Sequence, residues 1–109
     1  MKYLRVGEMA KLNMISSQTL RFYGKIGLLC PIYVDEQSGY RYYDIRQSAL
    51  LDTIFHLKEV GFSLQEIQEI VQTQSVEILC ENLQEKSQKI NDEIAKLNEQ
   101  KRAINRMTR

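Results

Sequence analysis

The stretch Val6-Gly-Glu-Met-Ala-Lys-Leu-Asn-Met-Ile-Ser-Ser-Gln-Thr-Leu-Arg-Phe-Tyr-Gly24 decides the fold. Val6, Met9, Ala10 and Leu12 are spaced as one apolar stripe on a short helix. Asn13-Met14-Ile15 interrupts that stripe. Ser16 and Ser17 are N-cap candidates for a second helix, which runs through Leu20 and Tyr23 and ends near Gly24. Two helices joined by a three-to-four-residue turn make a helix-turn-helix. Length alone leaves that assignment open, because any small helical domain contains such pairs.

Downstream, Pro31-Ile-Tyr-Val34 and Tyr40-Arg-Tyr-Tyr43 are β-prone runs around the Gly-containing loop Asp35–Gly39, which predicts a hairpin. Asp44 with Gln47 forms a capping box for a helix that buries Leu50, Ile54 and Leu57 and stops at Gly61. Ser63-Leu-Gln-Glu66 is a second capping box, stapled by Phe62 and Ile67, and opens a short helix to about Val71.

Beyond residue 62 the chain contains neither Gly nor Pro. From Val76 to Met107 an apolar residue recurs every seven positions: Val76, Leu83, Ile90, Leu97 and Ile104. The companion column (Leu79, Lys86, Glu93, Gln100, Met107) is apolar only at its ends, and Ile94 adds one contact beside it. Such a helix is roughly 48 Å long at about 1.5 Å per residue and cannot bury its own stripe. The simplest cover is its copy in a second subunit, with Val76, Leu79, Leu83, Ile90, Ile94, Leu97 and Ile104 as dimerisation residues. The thin seam predicts further packing against the partner's head. The expected domains are 1–72, a winged head, and 75–109, a coiled-coil helix.

Composition narrows the function. The 109 residues carry 15 basic and 14 acidic side chains, but these are segregated. Residues 1–46 hold seven cations against four acids, residues 62–100 three against eight, and residues 101–109 four cations and no acid. No apolar run is long enough to span a bilayer, and no signal-peptide pattern opens the chain. Cys30 and Cys80 are too far apart for a zinc knuckle, and neither has a neighbouring ligand, so no metal or cofactor is expected and a reducing cytosol is the expected address. His56 also lacks a second ligand. Nothing resembles a phosphate loop, a carboxylate pair or a nucleophile–base pair, so an enzyme finds no support.

Binding DNA requires cations for phosphates, an element that fits the major groove, and repeated half-sites. The second helix offers Ser17, Gln18, Arg21 and Tyr23. Gln and Arg can read purine edges bidentately, while hydroxyls suit phosphates. The hairpin places Arg41 and Tyr42 as a wing, with Tyr40 assigned to sheet packing. Lys58 and the amides at Ser63 are further candidates for phosphate contact.

These residues stand in blocks. Val6-Gly-Glu-Met-Ala-Lys-Leu12, Thr19-Leu-Arg-Phe-Tyr23 with Ile26-Gly-Leu-Leu29, Ser38-Gly-Tyr-Arg-Tyr-Tyr43, and Val60-Gly-Phe-Ser-Leu64 with Glu66-Ile67 closely resemble the mercury-resistance-regulator (MerR) family. The blocks cover residues 5–71, and the long helix is similar to the family's dimerisation helix. The resemblance implies a mainly α fold with a small β wing, assembled as a homodimer through an antiparallel coiled coil in the bacterial cytoplasm. It implies binding to a near-palindromic promoter element, distortion of that DNA, and work alongside RNA polymerase. It places Arg21 and Tyr23 on the recognition helix, Arg41 and Tyr42 on the wing, and Lys58 at the DNA backbone.

Three departures stand out. Where the family usually has Gly in the helix-turn-helix turn this chain has Met14, so either Asn13 takes the left-handed conformation or the turn differs. Gly24 replaces the usual acid after the Arg-aromatic-Tyr triplet. The chain also stops where relatives continue into an effector domain or metal loop, which is expected either of a truncated chain or of a short member without its own sensor. The rival readings are a repressor or partner-controlled regulator, and a coiled-coil interaction module without DNA affinity.

Overall fold

A computed structural model describes residues 3–108. It contains β1 (Tyr3–Arg5), α1 (Val6–Leu12), α2 (Ser17–Lys25), β2 (Tyr33–Val34), β3 (Arg41–Asp44), α3 (Ser48–Glu59), α4 (Leu64–Thr73) and α5 (Val76–Met107). Contacts divide the chain into two compact units between Glu69 and Ile70, inside α4.

In the first unit, α1 and α2 form the expected helix-turn-helix. Ser16 is the cap, its Oγ accepting from the Thr19 amide at 3.0 Å, and Ser17 is the first helical residue. The second helix passes through Gly24 and ends at Lys25. Gly24 keeps helical geometry, and the stop is Gly27 at φ 78, which no L side chain adopts without strain. Gln68 Nε2 donates to the Ile26 carbonyl at 2.6 Å and fastens this corner to α4. In the α1–α2 turn the left-handed residue is Met14, at φ 58, whereas Asn13 stays at φ −97. Asn13 is held there because its Nδ2 donates to the Met9 carbonyl and to Ser48 Oγ.

The hairpin forms as expected, with Tyr33 opposite Tyr42 and Val34 opposite Arg41. The sequence reading missed β1, which pairs antiparallel on the other side of β3 and makes a three-stranded sheet of order β1-β3-β2. Its three residues are too few to show a period of two.

Asp44 and Gln47 make their capping box around a single 3₁₀ turn, Ile45–Gln47, which then feeds α3. Leu51, not Leu50, joins Ile54 and Leu57 in the core, and Leu50 is only half-buried. Two adjacent leucines suit the same helical period, so packing alone chooses between them. α3 ends at Glu59, with Val60 as its C-cap and Gly61 at φ 101. The core around these elements is Met9, Ala10, Leu20, Tyr23, Leu28, Leu29, Tyr43, Leu51, Ile54, Leu57, Phe62 and Ile67. Phe62 and Ile67 are both buried, as the staple requires, and α4 runs two residues past the expected Val71.

In the second unit, Ser75 Oγ accepts from the Ile78 amide and opens α5, one uninterrupted helix of 32 residues. Val76, Leu83, Ile90, Ile94, Leu97 and Ile104 are exposed on it, and Leu79 is half-buried. Among the described residues no helix is long and apolar enough to cross a membrane.

Candidate nucleic-acid interface

The spacing of α2 separates two faces. Leu20 and Tyr23 turn into the core, whereas Gln18, Arg21, Phe22 and Lys25, at positions i, i+3, i+4 and i+7, are exposed. Ser17 is half-buried at the edge of that face. Tyr23 therefore differs from its expected place. The residue is 5% exposed, and it lines an open cleft of 550 Å³ with Ser16, Thr19, Phe55 and Lys58. Any contact it makes runs through that cleft and not from the exposed face.

The wing brings Arg41 to the other end of the same surface. Arg41 starts β3 and is exposed, while Tyr42 is half-buried with its ring centroid 5.7 Å from that of Tyr33. Alternation along the strand sends Tyr43 the opposite way, to full burial. Its hydroxyl has no hydrogen-bond partner among the described residues. Burial raises its pKa, against the opposing charge of Arg41.

Two clefts share Arg21 and Arg41. The first, of 440 Å³, is lined by Gln18, Arg21, Phe22, Lys25, Pro31 and Arg41, so the recognition helix and wing face one volume. The second, of 510 Å³, adds Arg5 from the end of β1, Lys11 from the last turn of α1 and Tyr40 from the hairpin, with Glu8 beside them. Lys58 is exposed but belongs to the Tyr23 cleft, away from both of these. Ser63 Oγ accepts from the Glu66 amide at 3.1 Å, and the Ser63 amide donates to Glu66 Oε1 at 2.9 Å. Two of the amides expected to meet a phosphate are thus satisfied inside the capping box.

Sequence reasoning missed Arg5, Lys11 and Lys25, and assigned Tyr40 to packing although it is 49% exposed. Lys25 was legible, four residues after Arg21 on one face. Arg5 was not, because its place depends on β1 lying opposite Tyr42. Among the described residues, no group of three or more His, Cys, Asp or Glu side chains could hold a metal ion.

Comparison with known proteins agrees with this geometry. Residues 4–74 match the family model described as MerR HTH family regulatory protein, and residues 49–107 match the one described as MerR, DNA binding. The chain is 35% identical over 96 residues to the multidrug-efflux transporter 2 regulator of Bacillus subtilis, covering 88% of this chain and 35% of that protein. It spans between 23% and 35% of the length of the two multidrug-efflux transporter regulators it matches. Among solved structures, HiNmlR, a MerR family regulator lacking the sensor domain and bound to promoter DNA, superposes with a TM-score of 0.67 at 26% identity, covering 89% of this chain and 76% of that one. EcmrR in its DNA complex within EcmrR-RPo superposes with a TM-score of 0.66 at 32% identity, covering 82% of this chain and 34% of that one. With both its head and its long helix accounted for by these matches, the chain belongs to the MerR helix-turn-helix family of regulatory proteins.

Proposed function

We propose that the chain is a sequence-specific, DNA-binding transcriptional regulator that grips a near-palindromic promoter element as a homodimer. The observation that carries this reading is the convergence of Gln18, Arg21 and Lys25 of α2 with Arg41 of the wing on one cleft. Gln18 and Arg21 have the donor geometry to read base edges, while Lys25 and Arg41 suit phosphates. Ser17, Tyr42 and Lys58 are flanking backbone contacts, Ser63 serves as the cap of α4, and Tyr23 supports the helix from beneath.

One head gives one half-site. The exposed stripe Val76, Leu83, Ile90, Leu97 and Ile104, with Leu79 and Ile94, is the surface on which an antiparallel second copy supplies the other. A two-fold dimer held at fixed spacing distorts the duplex between its half-sites. That costs several kcal/mol, which the extra contacts offset, and sequence at untouched positions then affects affinity. The match to EcmrR supports RNA polymerase as the neighbour at the promoter.

Footprinting on the region upstream of the chain's own gene, across a salt series, tests the reading. A protected two-fold site whose affinity falls steeply with salt is expected, and Arg21→Ala should weaken it by about 1–3 kcal/mol. Affinity indifferent to both sequence and salt would overturn it.

A further inference from the structure

The proposed reading accounts for the cleft on the α2 side of Arg21 and Arg41, but not for the one on the other side. We propose that this second cleft, between α1 and the wing, seats a backbone phosphate of the same duplex, with Arg5 as a DNA contact held in place by Tyr40. The inference rests on the DNA-binding reading and adds a site to it.

The cleft gathers Arg5, Lys11, Arg21 and Arg41 around 510 Å³. The carboxylate among them, Glu8, has its Oε1 engaged by the Arg5 backbone amide at 3.0 Å. The other arginines among the described residues sit against carboxylates: Arg46 on Asp44 at 2.7 Å, and Arg102 and Arg106 on Glu99. None of the four cations of the cleft forms an ion pair among the described residues. Four cations against the single carboxylate of Glu8 leave the cleft with an excess of positive charge, an arrangement that an incoming anion relieves.

Arg5 is also pre-positioned. Its guanidinium carbon lies 4.1 Å from the centroid of the Tyr40 ring. This cation–π contact restrains the side chain beforehand, so it loses less entropy when its N–H groups meet phosphate oxygens. Arg21 and Arg41 line both clefts. Whatever occupies the second cleft is therefore continuous with the duplex in the first, which favours a phosphodiester over a separate small anion.

The test measures affinity and salt dependence for a duplex from the upstream region and for a random-sequence duplex, using the full chain and its Arg5→Ala, Arg5→Lys, Tyr40→Leu, double and Arg21→Ala variants. Arg5→Ala should weaken both duplexes alike, by about tenfold, and lower the salt slope by about one. Arg5→Lys should keep the slope. Tyr40→Leu should cost less than Arg5→Ala and add nothing when Arg5 is already Ala. Thermal melts of these exposed-site variants should match the parent.

Unchanged affinity and slope in Arg5→Ala, beside a clear loss in Arg21→Ala, would overturn the second seat alone. Additive losses from Arg5 and Tyr40 would overturn the role given to Tyr40. If Arg21→Ala also left binding intact, both readings would fall. Saturable binding of inorganic phosphate to the DNA-free chain at constant ionic strength, lost in Arg5→Ala, would identify a free-anion site and overturn the duplex as its occupant.

Discussion

Asn13 Nδ2 donates to Ser48 Oγ at 3.1 Å, joining residues 35 positions apart and tying the turn of the helix-turn-helix to the start of α3. The same nitrogen reaches the Met9 carbonyl at 2.9 Å. With Asn13 so engaged, the left-handed step falls on Met14 at φ 58, a conformation costing an L residue roughly 1–2 kcal/mol. Met14 is 93% exposed, so its side chain returns almost nothing through burial. Met14→Gly should therefore stabilise the chain by about 0.5–1 kcal/mol, part of the relief being offset by the greater freedom of Gly when unfolded. Urea unfolding at equal protein concentration checks this, and a lower midpoint for the glycine variant would refute it.

Acid should act through Asp44. Its carboxylate accepts from the Arg46 guanidinium, at 2.7 Å from Nη2, and from the Arg46 amide at 2.8 Å. The guanidinium hydrogen bonds, followed by the amide, hold its pKa below the ordinary carboxylate value. A carboxyl depressed in the folded state adds stability that is present above its unfolded pKa, about 4, and is lost as pH falls through the folded value. Thermal melts between neutral pH and pH 2 should show a falling acid limb, and Asp44→Asn should flatten it while lowering stability at neutral pH. An unchanged limb in the variant would assign acid sensitivity to other carboxylates.

Tyr43 presents the opposite case. Its ring is fully buried beneath the wing, and its hydroxyl is without a partner among the described residues. Burying an unsatisfied hydroxyl costs about 1–3 kcal/mol. Tyr43→Phe keeps the ring and removes that cost, so it should raise stability by about 1 kcal/mol and leave DNA affinity unchanged. A destabilised variant would mean that the hydroxyl is hydrogen-bonded in solution.

The proposed dimer is tested at the centre of α5. Ile90 lies midway along the exposed stripe, where the neighbouring column is polar, so few contacts compensate for its loss. Ile90→Glu should convert the chain to monomer at micromolar concentration in sedimentation experiments. Promoter affinity should fall by about a hundredfold or more, because the second head no longer binds as part of one molecule. A variant that stays dimeric would move the interface elsewhere.

The elements most legible in the sequence were those fixed by local chemistry. α5 announced itself by its seven-residue period and its lack of breakers, and the boxes at Asp44 and Ser63 by side chains that meet their own backbone three residues away. What escaped depended on distant partners. β1 exists because Leu4 lies opposite Tyr43, and that pairing alone delivers Arg5 to the wing. Tyr23 was grouped with Ser17, Gln18 and Arg21 for the phosphate-binding potential of its hydroxyl, yet three residues after Leu20 it falls on the same buried side of the helix. At the interface the residue types were readable, whereas their division between two clefts belongs to tertiary structure.

The corner at Gly27 carries a last consequence. A Cβ there would find ordinary room beside Gln68 Nε2, at 3.6 Å, so any penalty for replacing this glycine comes from the main chain and not from crowding. Trimming Gln68 could not rescue such a replacement, and it would sacrifice the bond to Ile26 as well. In a survey of every substitution along the chain, these two positions should emerge as intolerant for unrelated reasons, with no compensating pair between them.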